Sequence, residues 1–381
     1  MKVCFVAVIE ASVKVFLVDH FKTMSPFFDI SVCVNTKDEG FLRPFGVDVT
    51  VIPVQMERRI SPLSDVRTLL HLYRLIRKNK FDVVHSIMPK SGLLSMLAAF
   101  FARVPVRIHT FTGQVWATKK GFARQLLKSM DKILAACATH ILVDSHSQRN
   151  FLIEQGVVSE RKSSVLANGS ICGVDEKRFS PDIKARSEIR RKFAISESHI
   201  VFLFLGRLNR DKGLLDLARA FLNIAQQYEN ACLIIAGPDE GHMKEQILSI
   251  CSFCSRMIHF EDFTDSPESF MAAADVFCLP SYREGFGIVV IEAASAGIPS
   301  IGSRIYGVTD TIEDGVTGFL FSAGDPGDLA LKMSTFIENP ALIKKMGKAA
   351  KARAEALYSK EKVTSAMLDF YKKAAHAATS A

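Results

Sequence analysis

The chain has 381 residues, 48% of them apolar and 23% charged, and a formal net charge of +8. That length suits two domains of ordinary size, and the balance is that of a globular protein rather than a disordered or fibrous one. No run free of Asp, Glu, Lys and Arg exceeds 12 residues (Ser91–Ala102, Ser163–Val174), whereas a membrane-spanning helix takes about 20.

In chain order, Val3–Ile9 reads as a first strand rather than a signal peptide, because the apolar run is short, valine-rich and lacks a small-residue cleavage site. A helical pattern follows over Val13–Lys22, then short strands at 30–34 and 47–54. A basic amphipathic helix covers Leu63–Arg77, with Phe81–His85 as the next strand. Gly92–Ala102 reads as a buried helix, Val106–His109 as a strand, and Lys120–Leu142 as helix then strand, breaking near His140. This alternation predicts a doubly wound parallel sheet. A dinucleotide fold would want G-x-G-x-x-G after the first strand; here the chain reads IEASVK, without glycine.

Residues 165–182, rich in Gly, Asn, Asp and Pro, read as a connector. A second alternation begins at Ile200, with strands IVFLFLG, ACLIIAG and MIHFEDF, and a helix over Leu214–Tyr228. Helices follow at about 326–337 and, as one long basic element, about 341–376. Two α/β domains facing a cleft are expected, 1–180 and 181–359. The eight cysteines are scattered; Cys251 and Cys254 make one C-x-x-C with no second pair at zinc spacing, so the pattern is reduced and cytosolic and no metal site is expected. Residues 1–180 hold 25 Lys and Arg against 15 Asp and Glu, the remainder 23 against 25. The two halves therefore suit different partners.

Two loops carry chemistry. In GRLNRDKG (206–213) a strand ends and a helix opens, with Arg207 and Lys212 five apart. Such cations fit a solvated loop as readily as a clamp for a diphosphate leaving group, where fixed charge acts most strongly in the transition state. In DVFCLPSYREGFGIVVIEAASAGIPS (275–300) a buried strand, a polar loop and a helix follow one another; the helix ends at Gly297 with Pro299 beyond. The free N–H groups at that helix start suit an anion. Glu284 and Glu292 bracket the turn. A carboxylate would repel phosphate, so the pair suits a ligand with hydroxyls beside its phosphates, although Glu292 alone also fits a partly exposed helix position. No D-x-D occurs.

PSYREGFGIVVIEAASAGIP, with its two glutamates separated by seven residues, resembles the signature of the family 4 glycosyltransferases, retaining enzymes of GT-B architecture. The resemblance spans nearly the whole chain and is strongest over 200–325. It implies that Glu284 contacts the donor sugar and Glu292 the ribose, that Gly285, Phe286, Gly287 and Ile288 meet diphosphate and sugar through their backbone, and that Arg207 and Lys212 clamp the diphosphate. It further implies base contacts at Phe263 and Thr264, beside Gly237–Glu240 and Phe260–Asp265. His109, at a strand end, would face the reacting sugar, although a lone histidine is more often structural. His109, Arg207, Lys212 and Glu284 are the expected catalytic set. Glu10, Ser12, His85 and Lys90 would bind acceptor; the family's glycine pair after strand one is absent here. A last helix, about 360–381, would cross back onto the first domain.

The expected activity is retaining transfer of a hexose or N-acetylhexosamine from a UDP-sugar, less readily a GDP-sugar, with no metal or other cofactor. HTFTGQVWATKKGFARQLLK and PKSGLL resemble the subgroup that builds bacterial surface polysaccharide (O-antigen or capsule), which implies a polyprenyl-diphosphate-linked glycan acceptor. The alternatives are a UDP-sugar 2-epimerase of the same fold and a non-catalytic sugar-nucleotide-binding protein. Arg67, Arg74, Arg77 and Lys78, with Leu69, Leu70, Leu72 and Leu75 interleaved, and Lys119, Lys120, Arg124 and Lys128 beside Phe122, Leu126 and Leu127, suggest peripheral attachment to an anionic membrane on the cytoplasmic side. No nucleic-acid-binding motif accompanies the charge.

Overall fold

A computed structural model describes residues 1–57 and 61–379, with side chains up to Ala374 in the last helix. The chain divides into two compact units. One comprises Met1–Gly173 and the segment from Lys360, the other Val174–Ser359. The division falls inside the stretch read as a connector.

The first unit is built on seven parallel strands, β1 (Lys2–Ile9), β2 (Asp29–Asn35), β3 (Thr50–Pro53), β4 (Val83–Ile87), β5 (Val106–Phe111), β6 (His140–Val143) and β7 (Ser163–Ser164), in the order β3-β2-β1-β4-β5-β6-β7. The central strands are buried on both faces, as strands covered on both sides by helices must be. The order reverses between β1 and β4, and the C-terminal end of such a reversal is where open α/β sheets bind ligands. There the chain differs from expectation. No loop follows β1; a helix begins at once over Glu10–Phe16, and a second covers Val18–Met24.

The second unit has six parallel strands, β8 (Ile200–Leu205), β9 (Ala231–Ala236), β10 (Ile258–Glu261), β11 (Val276–Leu279), β12 (Ser300–Ser303) and β13 (Gly318–Phe321), ordered β10-β9-β8-β11-β12-β13. Its reversal lies between β8 and β11. The loops that leave those two strands are GRLNRDKG and PSYREGFG, the two singled out by their chemistry.

The long basic helix expected over 341–376 is two helices, Ala341–Leu357 and Lys360–Thr379. The break has a packing cause. Tyr358 is buried with its ring edge-on to Phe286 at 5.3 Å, and its hydroxyl donates to the Asp310 carbonyl at 2.8 Å. Val174 N–H donates to the Tyr358 carbonyl at 2.9 Å. These contacts are worth more than continuing the helix through a residue whose side chain would then leave the core. The helix from Lys360 belongs to the first unit and buries Val363, Met367 and Tyr371 there.

Candidate active site

The apolar β8 and β11 deliver their loops to the same end of the second sheet. Close backbone approach then locks the loops together. Gly213 has φ +67°, and a Cβ at that position would lie 1.9 Å from the Pro280 carbonyl oxygen, so only glycine lets the β8 loop meet the end of β11. The Tyr282 N–H donates to the Asp211 carbonyl at 2.9 Å, and Arg283 pairs with Asp211 at 2.9 Å.

Within that junction the Lys212 ammonium lies 2.5 Å from Glu284 Oε1, and the Ser281 hydroxyl donates to the same oxygen at 2.7 Å. Both charged groups are mostly covered, which strengthens their attraction relative to a surface pair. Arg207, more exposed, pairs with Glu240 at 2.9 Å, and the Asn209 amide reaches the same carboxylate at 3.4 Å. Beside them Gly287 opens the helix Ile288–Ser295, which has no acidic residue in its first turn to compete for an incoming anion. Gly285, Phe286 and Gly287 are buried, and Ile288 half-buried. A loop that sequence reasoning missed covers them. Gly307 has φ +83°, and a Cβ there would lie 2.6 Å from the Gly285 carbonyl oxygen, so the turn after β12 sits directly on the signature backbone.

The remaining donor-side residues lie at the ends of β9, β10 and β11. Phe263 is exposed in the loop after β10, and Thr264 Oγ1 accepts the Ser266 N–H at 3.1 Å. Glu292 is half-buried on its helix, and burial of the carboxyl raises its pKa to about 7, with Arg178 opposing and Glu268 adding to the shift. The structure thus brings Lys212 and Glu284 into direct contact and holds Arg207 and the signature backbone on neighbouring loops. Ser281, Glu240 and Arg178 join them. Glu240, at the end of the segment after β9, and Ser281, in the signature loop, had a signal in sequence; Arg178 had none.

In the first unit, Glu10, Ser12 and Lys90 gather at the β1–β4 reversal. Glu10 accepts from Thr36 Oγ1 at 2.6 Å and pairs with Lys14 at 3.0 Å; these two interactions hold its pKa below the usual range. The Ser12 hydroxyl donates to Met88 Sδ at 3.2 Å, and Lys90 pairs with Asp65 at 2.7 Å.

The two histidines are enclosed in the first sheet. His85 has no exposed surface: Nδ1 bonds the Tyr371 hydroxyl and Nε2 the Thr110 hydroxyl, each at 2.7 Å. With both nitrogens engaged it cannot line an acceptor site; it ties the last helix to the sheet. His109 is equally enclosed, bonded through Nδ1 to Ser86 at 2.8 Å and edge-on to Phe111 at 4.5 Å, with burial pushing its pKa down to about 3. Its ring rests against Gly92, where a Cβ would come within 2.4 Å of it. His109 is thus a neutral, enclosed histidine on β5 whose Nε2 is buried without a hydrogen-bond partner. What sequence reasoning did not single out is a buried polar cluster at the ends of β5 and β6. Gln148 Nε2 donates to Gln114 Oε1 at 3.0 Å, and its carbonyl accepts the Asp144 N–H at 3.2 Å. Asp144 Oδ1 is buried without a hydrogen-bond partner, and burial raises the carboxyl pKa to about 8.

Fold and site together define a glycosyltransferase with two Rossmann-like sheets. Residues 185–353 match the model for glycosyl transferases group 1, and residues 27–169 that for a glycosyl transferase 4-like domain. Over 87% of this chain and 87% of its own length, the capsular polysaccharide biosynthesis glycosyltransferase CapM of Staphylococcus aureus is 32% identical. An Escherichia coli UDP-Gal:alpha-D-GlcNAc-diphosphoundecaprenol alpha-1,3-galactosyltransferase is 30% identical over 70% of this chain and 69% of its own. The chain belongs to the family 4 glycosyltransferases. Its GT-B fold matches that of Anabaena Alr3699/HepE, solved in complex with UDP and glucose, with a TM-score of 0.80 over 98% of this chain and 100% of that one, at 19% identity.

Proposed function

We propose that the enzyme transfers a hexose or N-acetylhexosamine, with retention, from a UDP-sugar to a polyprenyl-diphosphate-linked glycan in surface-polysaccharide synthesis. The observation that carries this reading is the Lys212–Glu284 contact at the β8–β11 reversal, beside the helix start at Ile288. A diphosphate arriving there takes Lys212 and Arg207 as counter-ions in place of Glu284 and Glu240. Glu284, released, faces the sugar hydroxyls, and Glu292 the ribose. Charge that builds on the leaving diphosphate meets cations already in position, and the departing phosphate takes the acceptor proton on the same face. Gal-transferring and capsule-building relatives support the lipid-linked acceptor. The Glu10, Ser12 and Lys90 group is the acceptor side of this proposal. Thermal shift with a panel of UDP- and GDP-sugars tests the donor, since a ligand at 100 times its Kd adds about 2.7 kcal/mol. Preference for GDP-sugars, or no shift with any, rejects it.

The reaction is proposed to run without a metal. Arg207 and Lys212 supply the positive charge a cation would bring, and among the described residues no cluster of three His, Cys, Asp or Glu is placed to hold one. Activity is expected to survive EDTA; complete loss restored by Mn²⁺ or Mg²⁺ would contradict this.

Peripheral membrane attachment is also proposed. Among the described residues no helix is long and apolar enough to cross a bilayer. The helices Pro62–Asn79 and Gly121–Cys137 flank the helix Pro89–Phe101 on one face of the first sheet. Not every leucine expected on the outer face is there. Leu72 is core, and Leu69, Leu75 and Leu127 pack against it. The exposed apolar residues are Leu63, Val66 and Leu70 on the first helix and Phe122, Leu126 and Ile133 on the second, with Leu63 and Phe122 each 80% exposed. Exposed Arg67, Arg74, Lys119 and Lys120 accompany them. Each basic group near an anionic surface contributes about 1 kcal/mol, and the two apolar rows add burial. Sedimentation with anionic vesicles is expected at low salt and is weakened by salt. Equal binding to neutral vesicles, or none to anionic ones, removes the attachment.

A further inference from the structure

We infer that Arg178, in the segment that reads as a plain connector, is a positioning residue of the donor nucleoside site, joining the loop after β10 to the helix Pro267–Ala273 beside Glu292. The inference rests on the donor site proposed above and names what organises its nucleoside end.

Arg178 reaches two elements at once. Its Nε donates to Glu268 Oε2 at 2.9 Å, at the start of the helix Pro267–Ala273, and its Nη2 donates to the Asp265 carbonyl at 3.1 Å, in the loop that carries Phe263 and Thr264. Its own backbone is anchored: the Arg178 N–H donates to Asp175 Oδ1 at 3.1 Å, and the guanidinium lies over the Phe179 ring at 5.3 Å. Phe179 is core, so the arginine stem starts from a fixed point. The same guanidinium and Glu268 are the two charged groups that act on Glu292. One side chain therefore holds the base-side loop, and its charge favours the ionised form of Glu292 against burial. A surface ion pair alone would be worth little; here its value lies in what it holds and in what it does to Glu292.

The sign of the effect follows from burial. Burial alone favours neutral Glu292, and Arg178 favours the carboxylate that accepts from ribose hydroxyls. Without Arg178, Glu268 acts unopposed and Glu292 stays protonated to higher pH. The ionised fraction of Glu292 at neutral pH then falls.

The test is calorimetric binding of UDP between pH 6.5 and 9.5 to wild type, Arg178→Met, Arg178→Lys and Glu292→Gln, each checked for an unchanged circular dichroism spectrum. Ratios to wild type cancel the ionisation of UDP itself. Arg178→Met is expected to bind several-fold more weakly at pH 7, with the deficit shrinking towards pH 9. Arg178→Lys, which keeps the charge, is expected to retain the wild-type midpoint. A deficit for Arg178→Met that is the same at every pH, or none, overturns the inference while leaving the donor site standing. Wild-type affinity in Glu292→Gln would instead reject the ribose contact, and the inference with it.

Discussion

Alanine at Lys212, Arg207 or Glu284 is expected to lower kcat/KM at least about tenfold, equivalent to about 1.4 kcal/mol of lost transition-state stabilisation. Lys212→Ala has the largest expected effect of the three. It removes the better covered of the two cations and also leaves Glu284, held by Ser281, unpaired beside an incoming diphosphate. Loss of attraction and new repulsion then act together. Arg207→Ala removes charge from a more exposed position where Glu240 already partly neutralises it, so its effect is smaller. Because Lys212 and Glu284 share one contact, the double alanine variant is expected to lose less than the product of the two single losses. Near-normal rates in folded Lys212→Ala and Arg207→Ala proteins would show that the β8 loop does not meet the diphosphate.

Asp144→Asn is expected to stabilise the protein at neutral and alkaline pH. The carboxyl is raised to about 8 by burial alone, against an ordinary value near 3.8. Between those values the folded state holds a proton that the unfolded state has released, so stability falls as pH rises through this window and levels off above it. The fall is on the order of several kcal/mol, because each unit corresponds to about 1.4 kcal/mol. Asparagine has the same shape and no proton to lose. The difference in urea midpoint between variant and wild type should therefore be small near pH 4 and grow to a plateau above pH 8. A difference that does not change with pH would mean that Asp144 titrates normally and that its burial is relieved in solution.

Much of this was legible in the chain itself. The β8 and β11 loops announce themselves because an apolar strand, a glycine-bounded polar turn and a helix follow in order, twice. The roles of Lys212, Glu284 and Glu292 came from the family resemblance, because each residue alone also fits a solvated position. The enclosure of the histidines was not legible. A histidine closing a parallel strand alternates between the sheet's faces and its end, and the partners that decide the matter, Ser86 and Gly92 for His109, Tyr371 for His85, are distant in sequence. The break at Tyr358 was hidden similarly: helix propensity runs through it, and the contacts that end the helix come from Phe286, Asp310 and Val174. Arg178 was masked by composition, since a stretch rich in turn-forming residues reads as linkage whatever one of its side chains later holds.

The hydroxyl of Tyr371 on His85 also dictates an order of assembly during synthesis on the ribosome. The unit Val174–Ser359 is one uninterrupted stretch and can complete its core as soon as it has emerged. The earlier-made sheet cannot. Phe5 packs against Tyr371 with ring centroids 6.0 Å apart, and that cover is translated after the whole of the later unit. At about 5–20 residues per second this leaves the first sheet waiting on the order of ten seconds or more with part of its apolar face unsealed. The nascent chain is therefore most exposed to aggregation and to chaperone capture through its oldest segment, and a chain terminated just before Lys360 would be released with a complete second unit joined to an open first one.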